Sequence, residues 1–298
     1  MIFKKKICLA LGGGGARGIC YLGLLKVFED HGLIPDMIVG TSMGSIVGGA
    51  FCQRKYPARD LIDRFKTVLY SRKFEDLGFS LIESLNKHTY LGFIKKLKNA
   101  VAKLNFYRKL EAQEYLVGNK RFRDVLKLLL PDVNIEDLAV KFGAVAMDVR
   151  KKQEVVINKG PLIKAVMASS AIPGIFQPVN MDGALLIDGG WIDLIPVPAS
   201  YKLRADKVIA VDIRKEHSLL RARNGLEFMN DASKVITDYF VDSQISRASL
   251  VLKVKADYEW YDFHDYKKLI EAGEKIAMEN LPDIKRLFRQ SRGFISLP

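Results

Sequence analysis

The chain has 298 residues, 49% of them apolar, enough to bury the core of one large α/β domain or two small ones, and this excludes a disordered chain. Lys and Arg outnumber Asp and Glu 47 to 34, a formal charge of +13 that favours anionic surfaces as partners. The three cysteines, Cys8, Cys20 and Cys52, lie in apolar contexts without a C-x-x-C pair, which excludes a disulfide framework or a zinc site and fits a reducing compartment.

Lys4, Lys5 and Lys6 precede an apolar run at 7–11 that is too short for a signal-peptide core, so the run is expected to be the first strand. The glycine-rich stretch 12–18 follows, then Ile19, Leu22, Leu25 and Phe28 at helical spacing, ending near Gly32. The unit repeats as a strand at 36–39, the turn Gly40-Thr41-Ser42-Met43-Gly44, and a helix carrying Ile46, Val47, Ala50 and Phe51. Between residues 53 and 128 stand 18 Lys and Arg against 8 Asp and Glu, so this segment carries +10 of the +13. Within it Ile94, Leu97, Val101 and Leu104 share a helical face while Lys95, Lys96, Lys98 and Lys103 fall largely on the others. Such a helix can lie on an anionic bilayer through residues about 90–110, or it can pack on the core with a solvated lysine face. Phe93, Phe106 and Tyr107 interleave with the lysines, but no nucleic-acid module surrounds them, and no nucleic-acid partner is expected.

Further on, strands are expected at 142–148 and 154–158, joined as a hairpin by Arg150-Lys151-Lys152. Pro161 opens a helix to about Ser170, and short strands follow at 185–188 and 207–212. The last third reads as a helix near 228–247, a strand near 250–255 and one final helix near 266–288. Strands alternating with helices imply an α/β fold, a mostly parallel sheet covered on both faces, with active residues at strand C-terminal ends. No run approaches the roughly 18 apolar residues of a membrane span, so the expected setting is cytoplasmic, with at most peripheral contact at the membrane inner face.

Both glycine motifs occupy strand ends. A glycine on either side of Ser42 permits a direct strand-to-helix turn that presents the hydroxyl outward as a nucleophile, although the same pattern serves a helix N-cap serine. Gly13, Gly15 and Gly18 satisfy G-x-G-x-x-G, but a dinucleotide site needs an acidic residue at the end of the second strand, where Gly40 and Ser42 stand instead. The other reading makes the loop an oxyanion hole of backbone N–H groups, with Arg17 either bracing it, pairing with a carboxylate or meeting an anionic head group. A serine nucleophile needs a base. His217 and His264 have the order of a Ser-Asp-His triad but no convincing loop setting, and His31 and His88 have no partner pattern. Asp188 ends an apolar run and precedes Gly189-Gly190, the setting of a functional side chain at a strand end or of a turn aspartate.

Together Gly13-Gly14-Gly15-Ala16-Arg17-Gly18, the elbow Gly40 to Gly44, Ala168-Ser169-Ser170-Ala171-Ile172-Pro173 with Phe176, and Asp188-Gly189-Gly190 resemble the patatin-like phospholipase family. The resemblance is to its bacterial, neuropathy-target-esterase-like branch, in matching order and spacing. It implies a three-layer sandwich with a basic helical insertion at about 53–128, a catalytic domain at 7–212 and a C-terminal extension, 213–298, packed on it. It also implies a Ser42-Asp188 dyad, an oxyanion hole at Gly13, Gly14 and Gly15, and support from Arg17, Gly18, Pro173, Gly189 and Gly190. The implied substrate is a phospholipid or lysophospholipid, with neither metal nor cofactor. Ser-Met-Gly-Ser stands where alanine often flanks the family's elbow. Soluble esters or thioesters, or non-catalytic lipid binding, are the alternatives.

Overall fold

A computed structural model describes residues 5–79, 108–109, 111–215, 222, 224–255 and 257–291. Strands β1 (Ile7–Leu11) and β2 (Met37–Thr41) are joined by helix α1 (Cys20–Asp30), and β2 runs straight into α2 (Met43–Cys52). Helices α3 (Ala58–Leu69) and α4 (Arg72–Glu75), strand β3 (Tyr115–Val117) and helix α5 (Asn119–Leu126) follow. The hairpin is β4 (Lys141–Asp148) and β5 (Gln153–Ile157), and α6 (Leu162–Ser169) leads to β6 (Gly174–Phe176), β7 (Val179–Met181) and β8 (Ala184–Asp188). The chain ends in α7 (Val197–Lys202), β9 (Lys207–Asp212), α8 (Gly225–Ile245), β10 (Leu250–Lys253), α9 (Tyr266–Glu279) and α10 (Leu281–Ser291).

Eight strands form one sheet in the order β10-β9-β1-β2-β4-β8-β7, with β5 also on β4. The pairs from β10 through β4 are parallel, in register Leu252↔Val211, Leu9↔Ile209, Leu9↔Ile38 and Ile38↔Phe142. These central strands are nearly continuous apolar runs because both faces are covered. Alternation divides them between two cores. Ile7, Leu9, Leu11, Ile38 and Phe142 join Leu22 and Leu25 of α1, Val47 of α2 and Leu269 of α9. Cys8, Ala10, Val39 and Ala210 join Val197 and Ala199 of α7 and Val241 of α8 on the other face. The result is a three-layer α/β/α sandwich. The three cysteines are buried free thiols.

One edge of β4 positions everything that follows. β2 lies parallel along Lys141 to Val145, ending at the pair Thr41↔Val145, while β8 lies antiparallel along Ala146 to Asp148, ending at Asp188↔Ala146. β5 occupies the opposite edge. Two strands therefore run toward each other along one edge, and their C-terminal ends meet beside adjacent residues of β4.

Two expectations change and a third lies beyond what the structure describes. The final helix is two, because Pro282 has no N–H to continue a helical ladder and Asn280 ends α9, its side chain donating to the Ile276 carbonyl at 2.9 Å. β6 and β7, three residues each, escape the pattern because short strands carry too little alternation, and β6 pairs with β3 in a separate two-stranded sheet. The basic helix expected around 94–104 lies outside the described residues. Among the described residues no helix is long and apolar enough to cross a membrane.

Candidate active site

Ser42 occupies the turn between β2 and α2 with φ 53° and ψ −123°, a left-handed backbone that L-residues adopt only under constraint. The constraint is visible on both sides. A Cβ at Gly40 would overlap the Gly44 carbonyl, and one at Gly44 would overlap the Leu11 carbonyl, so only glycine lets β1, β2 and α2 approach this closely. The Ser42 N–H donates to Ser169, to Oγ at 3.0 Å and to the carbonyl at 3.1 Å. The Ser42 carbonyl accepts from the Ser45 N–H and hydroxyl, at 2.8 and 2.7 Å. This residue is a turn apex whose side chain makes no capping bond to α2, which sets the N-cap alternative for Ser42 aside.

Asp188 reaches the same point from β8. Its carboxylate accepts through Oδ1 from the Gly190 N–H at 2.7 Å, and the nearby Ser42 hydroxyl favours its charged form. Its own N–H donates to the Ala171 carbonyl at 3.0 Å. One short turn, Ser169 to Ala171, thus grips the backbones of both residues. Burial pushes the Asp188 carboxyl up from 3.8 to about 6, against the opposing pull of the Ser42 and Gly190 hydrogen bonds. Gly189 lies so close to the Val145 carbonyl that a Cβ would overlap it, and Pro173 stands in the turn between α6 and β6.

The glycine loop faces this pair across the end of β1, and Gly13, Gly14, Gly15, Ser42 and Asp188 line one cavity. The Gly13 N–H, expected among the oxyanion donors, is committed to the Leu194 carbonyl at 2.8 Å. Gly13 instead contributes room, since a Cβ there would stand 3.3 Å from that of Ser42. Among the described residues the Gly14 and Gly15 N–H groups have no protein acceptor, which leaves them able to attract negative charge to the loop. Arg17 braces the loop, its Nε donating to the Gly14 carbonyl at 3.3 Å. Burial lowers the pKa of that guanidinium while Glu259 and Asp212 counteract it. Gly18 abuts Met43, the first residue of α2.

Two cavities open from Ser42. The inner one, about 690 Å³, is almost wholly apolar, running past Met43, Ile46, Phe122 and Phe176 to Phe74, Phe79 and Phe263. The outer one, about 1180 Å³, holds Asp188 and the glycine loop and is bordered by Trp191, Ile236 and Phe240. Among the described residues no histidine lines either cavity; His31 bonds the Val27 carbonyl, and His88 and His217 lie outside the described residues. Among the described residues no cluster of His, Cys, Asp and Glu could hold a metal.

Sequence reasoning missed Trp260, whose carbonyl accepts from the Ala16 N–H at 2.7 Å and presses on Gly15. Ser169 stood in a quoted motif without a role, and the Thr41 hydroxyl bond to the Asp193 carbonyl, at 2.8 Å, left no sequence signal.

A family model described as patatin-like phospholipase matches residues 9–201. An uncharacterized NTE family protein of Mycobacterium tuberculosis is 30% identical over 255 residues, covering 85% of this chain and 59% of its own length. Lysophospholipase NTE1 of Eremothecium gossypii is 33% identical over 210 residues, 70% of this chain and 12% of its own. The chain thus spans less than two thirds of these curated relatives. Human GIVD cytosolic phospholipase A2 superposes with a TM-score of 0.54 at 10% identity, covering 97% of this chain and 60% of that one, a likeness of fold. Matched from inside its first strand to α7, well over half its length, the chain belongs to the patatin-like phospholipase family.

Proposed function

We propose that the protein is a serine acylhydrolase that cleaves fatty-acyl esters of phospholipids or lysophospholipids through an acyl-Ser42 intermediate. The observation that supports this reading is that Ser42 lines both an apolar cavity and a second cavity that holds the buried Asp188 carboxylate and the glycine loop. The acyl chain occupies that cavity and its ester carbonyl lies at Ser42. As Oγ attacks the carbonyl carbon, its proton passes to Asp188, and the carbonyl oxygen becomes an oxyanion facing the Gly14 and Gly15 N–H groups. One such donor is worth about 3 kcal/mol. Asp188 then gives the proton to the departing alcohol oxygen as the C–O bond breaks. Water repeats the sequence on the acyl-serine, Asp188 again taking and returning a proton, and the fatty acid leaves. A carboxyl near 6 is a closer match to this task than an ordinary aspartate, and at pH 7 about nine in ten are ionised.

A lipid surface as the source of substrate is favoured over dissolved esters by the outer cavity's rim. Along α8 the residues Phe228, Met229, Val235, Ile236, Tyr239 and Phe240 are all more than half exposed and recur on one face, with Trp191 69% exposed beside them. Ile236, Phe240 and Trp191 also border the cavity, so a bilayer seated on this stripe lies over the opening to Ser42. The net charge of +13 adds attraction to anionic lipid, screened over about 8 to 10 Å.

Fluorophosphonate labelling tests the chemistry. Wild type is expected to label once, at Ser42, and Ser42→Ala not at all; full esterase activity in Ser42→Ala or Asp188→Asn removes the assignment. For the surface, Phe228→Asp with Tyr239→Asp is expected to lower the ratio of vesicle to dissolved-ester rates at least about tenfold. An unchanged ratio favours soluble substrates instead.

A further inference from the structure

We propose that the rings of Phe74, Phe79 and Phe263 form an end wall that sets how long an acyl chain the protein accepts; this rests on the acylhydrolase reading above. The inner cavity is lined both by Ser42 and by these rings. Beyond them lies a second cavity, about 790 Å³, open to the surface and lined by Tyr70, Ser71, Glu75, Tyr261 and His264. The two cavities share only Leu69, Phe74, Phe79 and Phe263. The three rings close on one another: Phe79 to Phe263 is 4.9 Å between centroids, Phe74 to Phe263 5.0 Å and Phe74 to Phe79 5.5 Å. At those spacings the rings are in contact and no methylene chain passes between them.

The chemistry on either side makes the wall consequential. An acyl chain extending from Ser42 meets apolar side chains along the whole inner cavity, then aromatic rings, and behind them a compartment with carboxylate, hydroxyl and imidazole groups. Each methylene buried before the wall favours the reaction by about 0.8 kcal/mol, about fourfold in kcat/KM. A chain longer than the inner cavity must leave its end in water or displace a ring. Selectivity therefore climbs with chain length and then breaks. Phe263 is buried, whereas Phe74 and Phe79 are partly exposed, and Phe79, which meets both other rings, is the one whose removal opens the wall.

The test is internal competition among 1-acyl lysophosphatidylcholines, from octanoyl to stearoyl, mixed in one detergent micelle, with the released acids counted by mass spectrometry. In wild type kcat/KM is expected to rise about fourfold per methylene up to a break. Phe79→Ala moves the break to longer chains, and the first length that wild type disfavours gains about tenfold or more. Phe79→Leu, the milder change, shifts it in the same direction and serves if Phe79→Ala does not fold. An unchanged break in a folded, fluorophosphonate-labelled Phe79 variant overturns the wall. Failure of wild type to label or to hydrolyse any member overturns the acylhydrolase reading instead. The two are separable without turnover, because dissociation constants of free fatty acids of graded length for Ser42→Ala should show the same break and the same shift on adding Phe79→Ala.

Discussion

Ser42 and Asp188 arrive at one point by opposite means. Ser42 ends a parallel strand inside the sheet and is held by steric closure: glycines at 40 and 44 let backbone press on backbone, and the serine takes up φ 53° as a result. Asp188 ends an antiparallel strand and is held by hydrogen bonds, from the Gly190 N–H to its carboxylate and from its own N–H to Ala171, inside a site that disfavours its charge. The mount of Ser42, the proposed nucleophile, stores strain in the backbone, while that of Asp188, the proposed base, stores it in electrostatics. Damage to the two should therefore separate activity from stability in different ways.

The largest effect is expected from Asp188→Asn, which removes the proposed base and should lower kcat about a thousandfold, measured by steady-state hydrolysis. Gly44→Ala should lose activity and fold together, costing about 3 kcal/mol in urea unfolding because the new Cβ meets the Leu11 carbonyl. A Gly44→Ala protein of wild-type stability would remove the steric half of the contrast. Asp188→Asn should do the reverse of Gly44→Ala and stabilise. Burial raises the native carboxyl above its unfolded value, so the native state binds the proton more tightly; below about pH 4 the group costs nothing. Between about pH 4 and 6 stability falls as pH rises, and above 6 the full penalty of about 3 kcal/mol is present. Asp188→Asn should accordingly gain up to that amount at pH 8 and nothing at pH 3.5, read from paired unfolding curves. In wild type the same ionisation should appear as a rise of kcat/KM through about pH 6. The smallest effect belongs to Ser169→Ala, about 1 kcal/mol of stability, since the Ser42 N–H keeps the Ser169 carbonyl when the hydroxyl goes.

The contrast also explains what was legible in the sequence. The elbow, the glycine loop and Asp188 announce themselves because each depends on glycines within two residues, a local requirement written in adjacent letters. The inner cavity does not, since Ile46, Phe74, Phe122, Phe176 and Phe263 come from distant segments and each reads singly as ordinary core. The stripe on α8 is the opposite case. Phe228, Val235, Ile236 and Phe240 have the spacing of a core-facing helix, and only their exposure in the folded chain, with Val241 and Ile245 buried on the other side, turns them into a surface. Sequence reasoning also missed Trp260, whose backbone supports the glycine loop.

Strand β4 contributes no side chain to either cavity at Ser42, yet the spacing of Ser42 and Asp188 is recorded there. Thr41 is read against Val145 and Asp188 against the next residue, Ala146, so a single peptide unit serves as the gauge for both. Inserting one residue between them would part the two strand ends by about 3.3 Å and turn one of them to the other face of the sheet. That junction therefore tolerates changes of side chain far better than changes of length, and a deletion scan along β4 would find the chemistry's most sensitive position in a residue pair that never meets substrate.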